Sequence, residues 1–524
     1  MKRLFMIASL VAVSTTMMAQ DMFDAVDVAT KDLNGTARYV GMGGALGALG
    51  GEISLMSSNP AGTGLFRKSD AAFTVGGVFG AKGVLGHDAT RLSLDNAGIL
   101  ISLPTDEGNV KYVNFGVNYV KNKNFLFNQD TPIQNLTVSS AVGPVSLSQT
   151  YQIANLANEA NSNNDWGALP KMSAPNCDND GNFTQGGIVD GTMYYDGASD
   201  SYFIADFTGN GADKANMRKA TYGGITQADI NLSLNVLDKY FFGASVGLYD
   251  INYNRESFYE ELLSTAGGSA FYDFSNWYKT TGDGVDIKLG FICRPIEDSP
   301  FRFGVNVHTP TWYKMEELNG SVLYLNDGYV SEYVGDPFHY DLRTPWKLGC
   351  SLGYTIDNYF AIGAEYEYQD LSTLKYSVDG HQTQDFIRHN NFMNQYLKAQ
   401  HTFKVGMEVK PIDQLSVRAG YNYVSAPMKD DAFRLLSYWD PLTETDFTNW
   451  KGTNRFTFGL GYRYKGGYID LTYQYSGQKG DFYAFNVDNI NFVDANNTPL
   501  NLSLRPTEIE NNRSQIMCTV GFRF

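Results

Sequence analysis

The sequence predicts an all-β protein, a transmembrane antiparallel up-and-down β-barrel of about fourteen strands with an N-terminal plug. Segments of roughly ten residues alternate apolar and polar side chains from about residue 70 to Phe524, the signature of strands that separate lipid from a wet interior. The connections between these segments are alternately short and long. The 524 residues include 34 Tyr, 33 Phe and 53 Gly but only 18% charged side chains, a balance that suits strands facing lipid.

Residues 1–19 read as a secretory signal peptide. Lys2 and Arg3 precede the apolar run Leu4 to Val13, and Ser14-Thr15-Thr16 leads to a cleavage site after Ala19. No Cys follows the site, so a lipid anchor is not expected. Beyond it no apolar run reaches the roughly 18 residues that a membrane helix needs, which excludes a helical membrane protein. Lys+Arg 40 against Asp+Glu 56 gives a net charge of −16, and so acidic a chain is unsuited to nucleic acid. Cys177, Cys293, Cys350 and Cys518 are too scattered for a metal or redox motif, and nothing suggests a disulfide framework.

Residues 20–69 lack the alternation. A polar stretch, Asp21 to Lys31, is followed by the glycine-rich run Gly35 to Gly51 and then by Asn59-Pro60-Ala61-Gly62. Glycine allows close backbone packing and Asn-Pro marks a turn. A barrel of about fourteen strands is too wide for wall side chains to fill, so this compact segment is expected to be its stopper.

Residues 70–524 form the barrel. In the last strand Ile516, Cys518, Val520, Phe522 and Phe524 share one face, opposite Met517, Thr519, Gly521 and Arg523. The same split recurs in 402–409, 415–423, 456–464 and 469–475. Two segments, 91–103 and 241–254, change phase partway and are expected to contain bulges. Six short turns alternate with seven longer connections, the longest spanning 122–225, as in barrels with short periplasmic turns and long outer loops. Aromatic residues sort to two levels: Tyr421, Tyr423, Tyr473 and Tyr475 at the outer one, Tyr462, Tyr464, Phe522 and Phe524 at the periplasmic one. Lys288, Lys347, Glu365, Lys404, Glu408, Arg418, Arg463 and Asp470 fall on the opposite face and are expected to point into the lumen, because each would cost about 2–4 kcal/mol in lipid.

The order of signal peptide, glycine-rich segment, Asn59-Pro60-Ala61-Gly62, strands and C-terminal Phe resembles the FadL/TodX family of outer-membrane transporters for hydrophobic compounds. The phrases Gly290 to Pro295 and Arg418 to Tyr423 add to the likeness, which covers essentially the whole mature chain. The resemblance implies a monomeric fourteen-stranded barrel in the outer membrane of a Gram-negative bacterium, bordered by outer-membrane lipids. Residues 20–69 would be the hatch, with Asn59, Pro60 and Ala61 as its motif. It further implies passive uptake of hydrophobic small molecules, long-chain fatty acids being the archetype, with sideways exit at a kink in the third strand. Asn114, Gly116 and Asn118 are the kink candidates.

A capture surface is expected in the connection between the fifth and sixth strands, where Phe258, Tyr259, Leu262, Phe271, Phe274 and Trp277 crowd together. No catalytic residue, cofactor or metal site is expected. The strings Gly243–Gly247 and Gly349–Gly353 match G-x-S-x-G but lie within strands, where a nucleophile elbow cannot form. Asp178 to Asn182 resembles a calcium loop with its Gly displaced. The alternatives are an outer-membrane lipid hydrolase, a general porin and a haem-uptake protein.

Overall fold

The structure, a computed structural model, describes residues 21–105, 108–140, 143–152, 155, 193–196, 201–204, 212–265, 268–296, 299–325, 330–436, 444–488, 490, 492–493 and 499–524. The signal peptide, Cys177 and the calcium-like Asp178 to Asn182 lie outside the described residues, as does most of the longest connection.

Fourteen antiparallel strands close into a barrel. They are β1 (Asp70–Phe79), β2 (Thr90–Pro104), β3 (Val110–Asn124), β4 (Ala212–Val236), β5 (Tyr240–Thr265) and β6 (Gly268–Cys293). Next come β7 (Arg302–His308, continued by Trp312–Leu325), β8 (Phe338–Arg343, continued by Lys347–Ile356), β9 (Phe360–Asp370) and β10 (Ala399–Ile412). The series ends with β11 (Leu415–Val424), β12 (Phe447–Tyr464), β13 (Gly467–Tyr483) and β14 (Thr507–Arg523). Pairing of Asp70 with Arg523 through Phe79 with Ser514 joins β14 to β1, so the sheet has no free edge. No described helix is long and apolar enough to cross a membrane.

Period two decides which side chains meet lipid. Phe458 on β12 is 50% exposed while its neighbour Thr457 is 6% exposed, and Leu460, Tyr462, Ile516, Val520 and Phe522 lie on the exposed face. Most of the expected lumen charges are buried on the other side and paired, while Lys347 and Arg463 are half-buried and have no carboxylate partner among the described residues. Lys404 Nζ lies 2.9 Å from Glu365 and 2.8 Å from Glu367. Arg418 reaches Glu408 at 2.6 Å and Asp470 at 2.5 Å. Lys288 sits 3.1 Å from Asp229 and 2.5 Å from Asp286. Pairing of this kind is what allows a charge to leave water.

The two phase changes have different causes. In β2 the register against β1 shifts between Thr74 and Val75, opposite Asp95, and Asp95 and Asn96 are both buried, which is the expected bulge. The pairing of β5 is regular through 241–254, so no bulge lies there. Its outward side changes from Phe242, Val246 and Leu248 to Asp250, while its inward side changes from Ser245 to Tyr249, Ile251 and Tyr253. The strand has left the bilayer without changing phase. β5 and β6 pair along their whole length, from Tyr240–Cys293 to Thr265–Gly268, so Phe258 to Trp277 form a hairpin of two strands rather than a loop.

Residues 34–67 wind along the inner wall, residues 37–49 from β14 back to β8 and residues 59–63 from β6 back to β4. Ala37 N–H donates to Thr519 Oγ1 of β14 (2.7 Å) and its carbonyl accepts from Thr472 of β13 (2.5 Å). The Gly41 carbonyl accepts from Thr457 of β12 (3.2 Å), and Gly47 N–H donates to Glu365 of β9 (3.1 Å). Thr63 Oγ1 donates to Asn231 of β4 (2.7 Å), and Asn114 of β3 donates to the Thr63 carbonyl (2.8 Å). Ile53, Met56 and Phe66 share an apolar cluster with Ala72 of β1 and Leu100 of β2. Two wall glycines show why the approach is so close. A Cβ on Gly243 would stand 2.2 Å from the Pro60 carbonyl carbon, and one on Gly363 2.0 Å from the Ala45 oxygen. Gly243 and Gly353, each in a G-x-S-x-G string, are contact points for this segment.

Gly243→Ala should therefore destabilise the folded barrel by about 1–3 kcal/mol through overpacking against backbone. Gly467→Ala, whose new carbon would meet nothing nearer than 3.8 Å, should change stability by less than about 0.5 kcal/mol. Urea unfolding in detergent, followed by heat-modifiable gel mobility, measures both.

Candidate ligand cavity

A cavity of about 260 Å³ lies above the winding segment, between the wall and the helix α1 (Met22–Ala29). Asp21 caps α1 by accepting from Asp24 N–H at 2.8 Å. Two arginines then hold the helix start. Arg255 of β5 lies 2.5 Å from Asp24 and 2.6 Å from Glu444, and Arg434 lies 2.6 Å from Asp21 and 3.1 Å from Glu444. Burial would raise the Glu444 carboxyl, but Arg255, Lys219 and Arg434 hold it at about 2. Tyr376 donates to the Asp21 carbonyl at 2.8 Å. Ala25, Val26 and Val28 pack into a cluster with Tyr249, Tyr253 and Tyr278 of the wall.

The cavity has two unlike sides. Phe23, Val26, Phe125, Leu126 and Trp450 give it an apolar side. Lys31 and Lys347 give it a cationic one, beside His308. Lys31 Nζ donates to Tyr249 at 3.0 Å and Gln227 at 3.3 Å, and His308 Nε2 donates to the Ser58 carbonyl at 2.6 Å. Most lining cations have carboxylate partners: Lys123 meets Asp27 at 3.0 Å and Arg513 meets Asp32 at 2.9 Å. Among the described residues Lys31 and Lys347 have none. Burial, reinforced by Lys347 and Lys288 and opposed by Asp286 and Asp229, pushes the Lys31 ammonium down to about 7. Such a space can hold a molecule with an apolar body and a polar or anionic end.

The wall beside this cationic side is interrupted. β7 and β8 keep one register from Arg302–Gly353 to His308–Lys347 and again from Trp312–Arg343 to Glu317–Phe338, which sets Pro310 opposite Pro345 in the gap. Neither proline has an N–H to donate. Threonines take up the slack: Thr344 N–H donates to the Thr311 carbonyl (3.0 Å), Thr311 N–H to Thr344 Oγ1 (2.8 Å) and Ile287 N–H to Thr309 Oγ1 (3.0 Å). On the lipid side Trp312 and Trp346 are exposed at the edge of the apolar band, since Lys314 and Glu316 follow outward on β7.

The residues singled out from the sequence are dispersed by comparison. Asn59 is fully buried; its amide donates to the Gly47 carbonyl at 3.0 Å, and its side-chain oxygen caps the short 3-10 helix Pro60–Leu65. On β3, pairing runs unbroken past Asn114, Gly116 and Asn118, and the register shifts lie at Val110/Tyr112 and Lys121/Lys123. The capture cluster is split by strand alternation: Tyr259 and Phe274 are buried, Phe258 and Trp277 are half-buried, and Leu262 and Phe271, directly paired, are exposed. Sequence reasoning passed over Lys31, His308 and the paired prolines. A proline inside an alternating run was the available signal for the last.

Lys31 should titrate near pH 7. Below that pH the ammonium is charged and above it the amine is neutral. In ¹³C-dimethylated protein one lysine resonance should shift with a midpoint near 7 and be missing from Lys31→Met. Arg255→Met should cost about 3–5 kcal/mol, because it leaves Asp24 and Glu444 buried beside each other with half their cation removed.

No protein-family model matches the sequence, and no curated protein matches it. Among solved structures, a Pseudomonas aeruginosa FadL homologue matches at 12% identity and a TM-score of 0.50, covering 95% of this chain and 100% of its own. The Pseudomonas putida toluene transporter TodX matches at 13% identity and a TM-score of 0.46, covering 94% and 99%. The CymD monoaromatic hydrocarbon channel matches at 9% identity and a TM-score of 0.46, covering 95% and 98%. At these identities the likeness concerns the fold. The chain has the barrel fold of the FadL homologue, a member of the family that its sequence resembles.

Proposed function

We propose that this chain is an outer-membrane channel of a Gram-negative bacterium for passive uptake of hydrophobic or amphipathic small molecules, long-chain fatty acids among them. The observation that carries the reading is a cavity with one apolar and one cationic side, set above a segment that packs against the wall from β2 round to β14. In this reading residues 20–69, with Asn59, Pro60 and Ala61 as a pinned element, are the hatch that bars the axis. The outward pair Leu262 and Phe271 on the protruding β5–β6 hairpin meets ligand first. Burial of an acyl chain supplies about 0.8 kcal/mol per CH2, while Lys31 and Lys347 receive an anionic end.

With the axis barred, cargo leaves sideways, and at Pro310 and Pro345 the β7–β8 seam has a gap where separating two strands breaks few ladder hydrogen bonds. Bonds to threonine and Ile287 satisfy the backbone donors of Thr309, Thr311 and Thr344 there, as lipid requires.

Proteoliposomes holding the protein should take up [¹⁴C]oleate several-fold faster than empty vesicles while conducting ions poorly. Large open-pore conductance with no uptake of oleate or toluene would end the proposal. Oxidising a Thr309→Cys/Trp346→Cys pair, in a background lacking the native cysteines, should stop uptake until reductant is added. The same linkage at Ile99 and Val117, which pair on β2 and β3, should leave uptake unchanged.

A further inference from the structure

On the turn side of the barrel a second cavity, of about 370 Å³, opens beneath the winding segment. Its lining carries seven cations, Arg38, Arg67, Arg294, Arg302, Lys410, Arg463 and Arg523, against three carboxylates, Asp238, Asp357 and Glu408. That excess of four positive charges stands in a chain whose net charge is −16.

Three of the arginines are accounted for. Arg38 lies 3.1 Å from Glu408, Arg67 3.0 Å from Asp238 and Arg523 2.6 Å from Asp70. Among the described residues Arg294, Arg302, Lys410 and Arg463 have no carboxylate within ion-pair distance. Arg302 donates through one terminal nitrogen to the Leu49 carbonyl. The Nε of Arg294, of Arg302 and of Arg463 is buried without any acceptor. A buried guanidinium donor left unmet is costly, and three around one cavity mark an acceptor-rich guest. Arginine's planar fork matches the two oxygens of a carboxylate or phosphate, and clustered cations in a low-dielectric recess strengthen that attraction.

We propose that this vestibule is an oxyanion-binding site for a small molecule bearing a phosphate or carboxylate group, held by Arg302 and Arg463 with Arg294 and Lys410 at the margin. The site is separate from the upper cavity and does not depend on which compound crosses the barrel. The anion is either a free solute or the headgroup of a lipid in the turn-side leaflet.

The test uses the full mature chain in neutral detergent, titrated calorimetrically with sodium pyrophosphate and, separately, with dihexanoyl phosphatidate. Saturable binding of either probe is expected. It should weaken at least tenfold in Arg302→Gln/Arg463→Gln and change less than twofold in Arg67→Gln, whose cation is already paired and exposed. Arg302→Lys/Arg463→Lys keeps the charge but loses the fork and should weaken binding by an intermediate amount, which covers the case in which the glutamine variant fails to fold. Pyrophosphate binding without phosphatidate preference assigns a soluble anion; tighter phosphatidate binding assigns a headgroup. No saturable binding of either probe, or binding that both double variants leave intact, overturns the site.

Discussion

A backbone N–H or C=O without a partner in hydrocarbon costs several kcal/mol, and that one constraint organises the molecule. It demands closure, so β14 pairs with β1. It also makes the break in the ladder between β7 and β8 informative. Pro310 and Pro345 face each other in register, and the hydroxyls of Thr344 and Thr309 and the carbonyl of Thr311 accept from the N–H groups of Thr311, Ile287 and Thr344. The regular ladder between β7 and β8 is interrupted there, with three of its backbone donors re-bonded through Thr344, Thr311 and Ile287.

Closure creates the next problem, a bore too wide for its own side chains. The answer is a backbone laid directly on backbone. Wall glycines such as Gly243, Gly290, Gly363, Gly406 and Gly420 remove the side chains that would keep residues 42–60 away. The intervening positions carry Glu365, Lys404, Glu408, Arg418 and Asp470, whose pairs knit adjacent strands and reach Gly47 and Arg38 of the segment. Charges that lipid forbids become the fastening of the interior.

The two cavities beside the segment differ in chemistry. The upper one combines aromatic and aliphatic side chains with two lysines that lack a counter-ion among the described residues. The lower one is dominated by arginine. Both positive regions lie within a strongly acidic chain, so the charge is segregated in space rather than balanced locally.

Strand alternation, the alternating lengths of the connections and the grouping of aromatics were local properties, and they sufficed for the barrel, its strand number and the sign of each face. They are legible because a strand's side chains obey period two whatever lies around them. The reading faltered where the environment changed along one strand. At 241–254 it took the passage from bilayer to water for a bulge, and at 258–277 it took a protruding hairpin for a loop, because periodicity does not record where the membrane ends. The cavity was not legible at all. Lys31 lies 316 positions before Lys347, and only the winding of residues 34–67 against successive strands brings both to one space beside His308. The alignment of Pro310 with Pro345 likewise depends on inter-strand register. The sequence alone thus determined which side of each strand meets lipid; the tertiary structure decided which distant cations share a cavity and where the β7–β8 ladder breaks, because both follow from pairing between strands rather than from any run of residues.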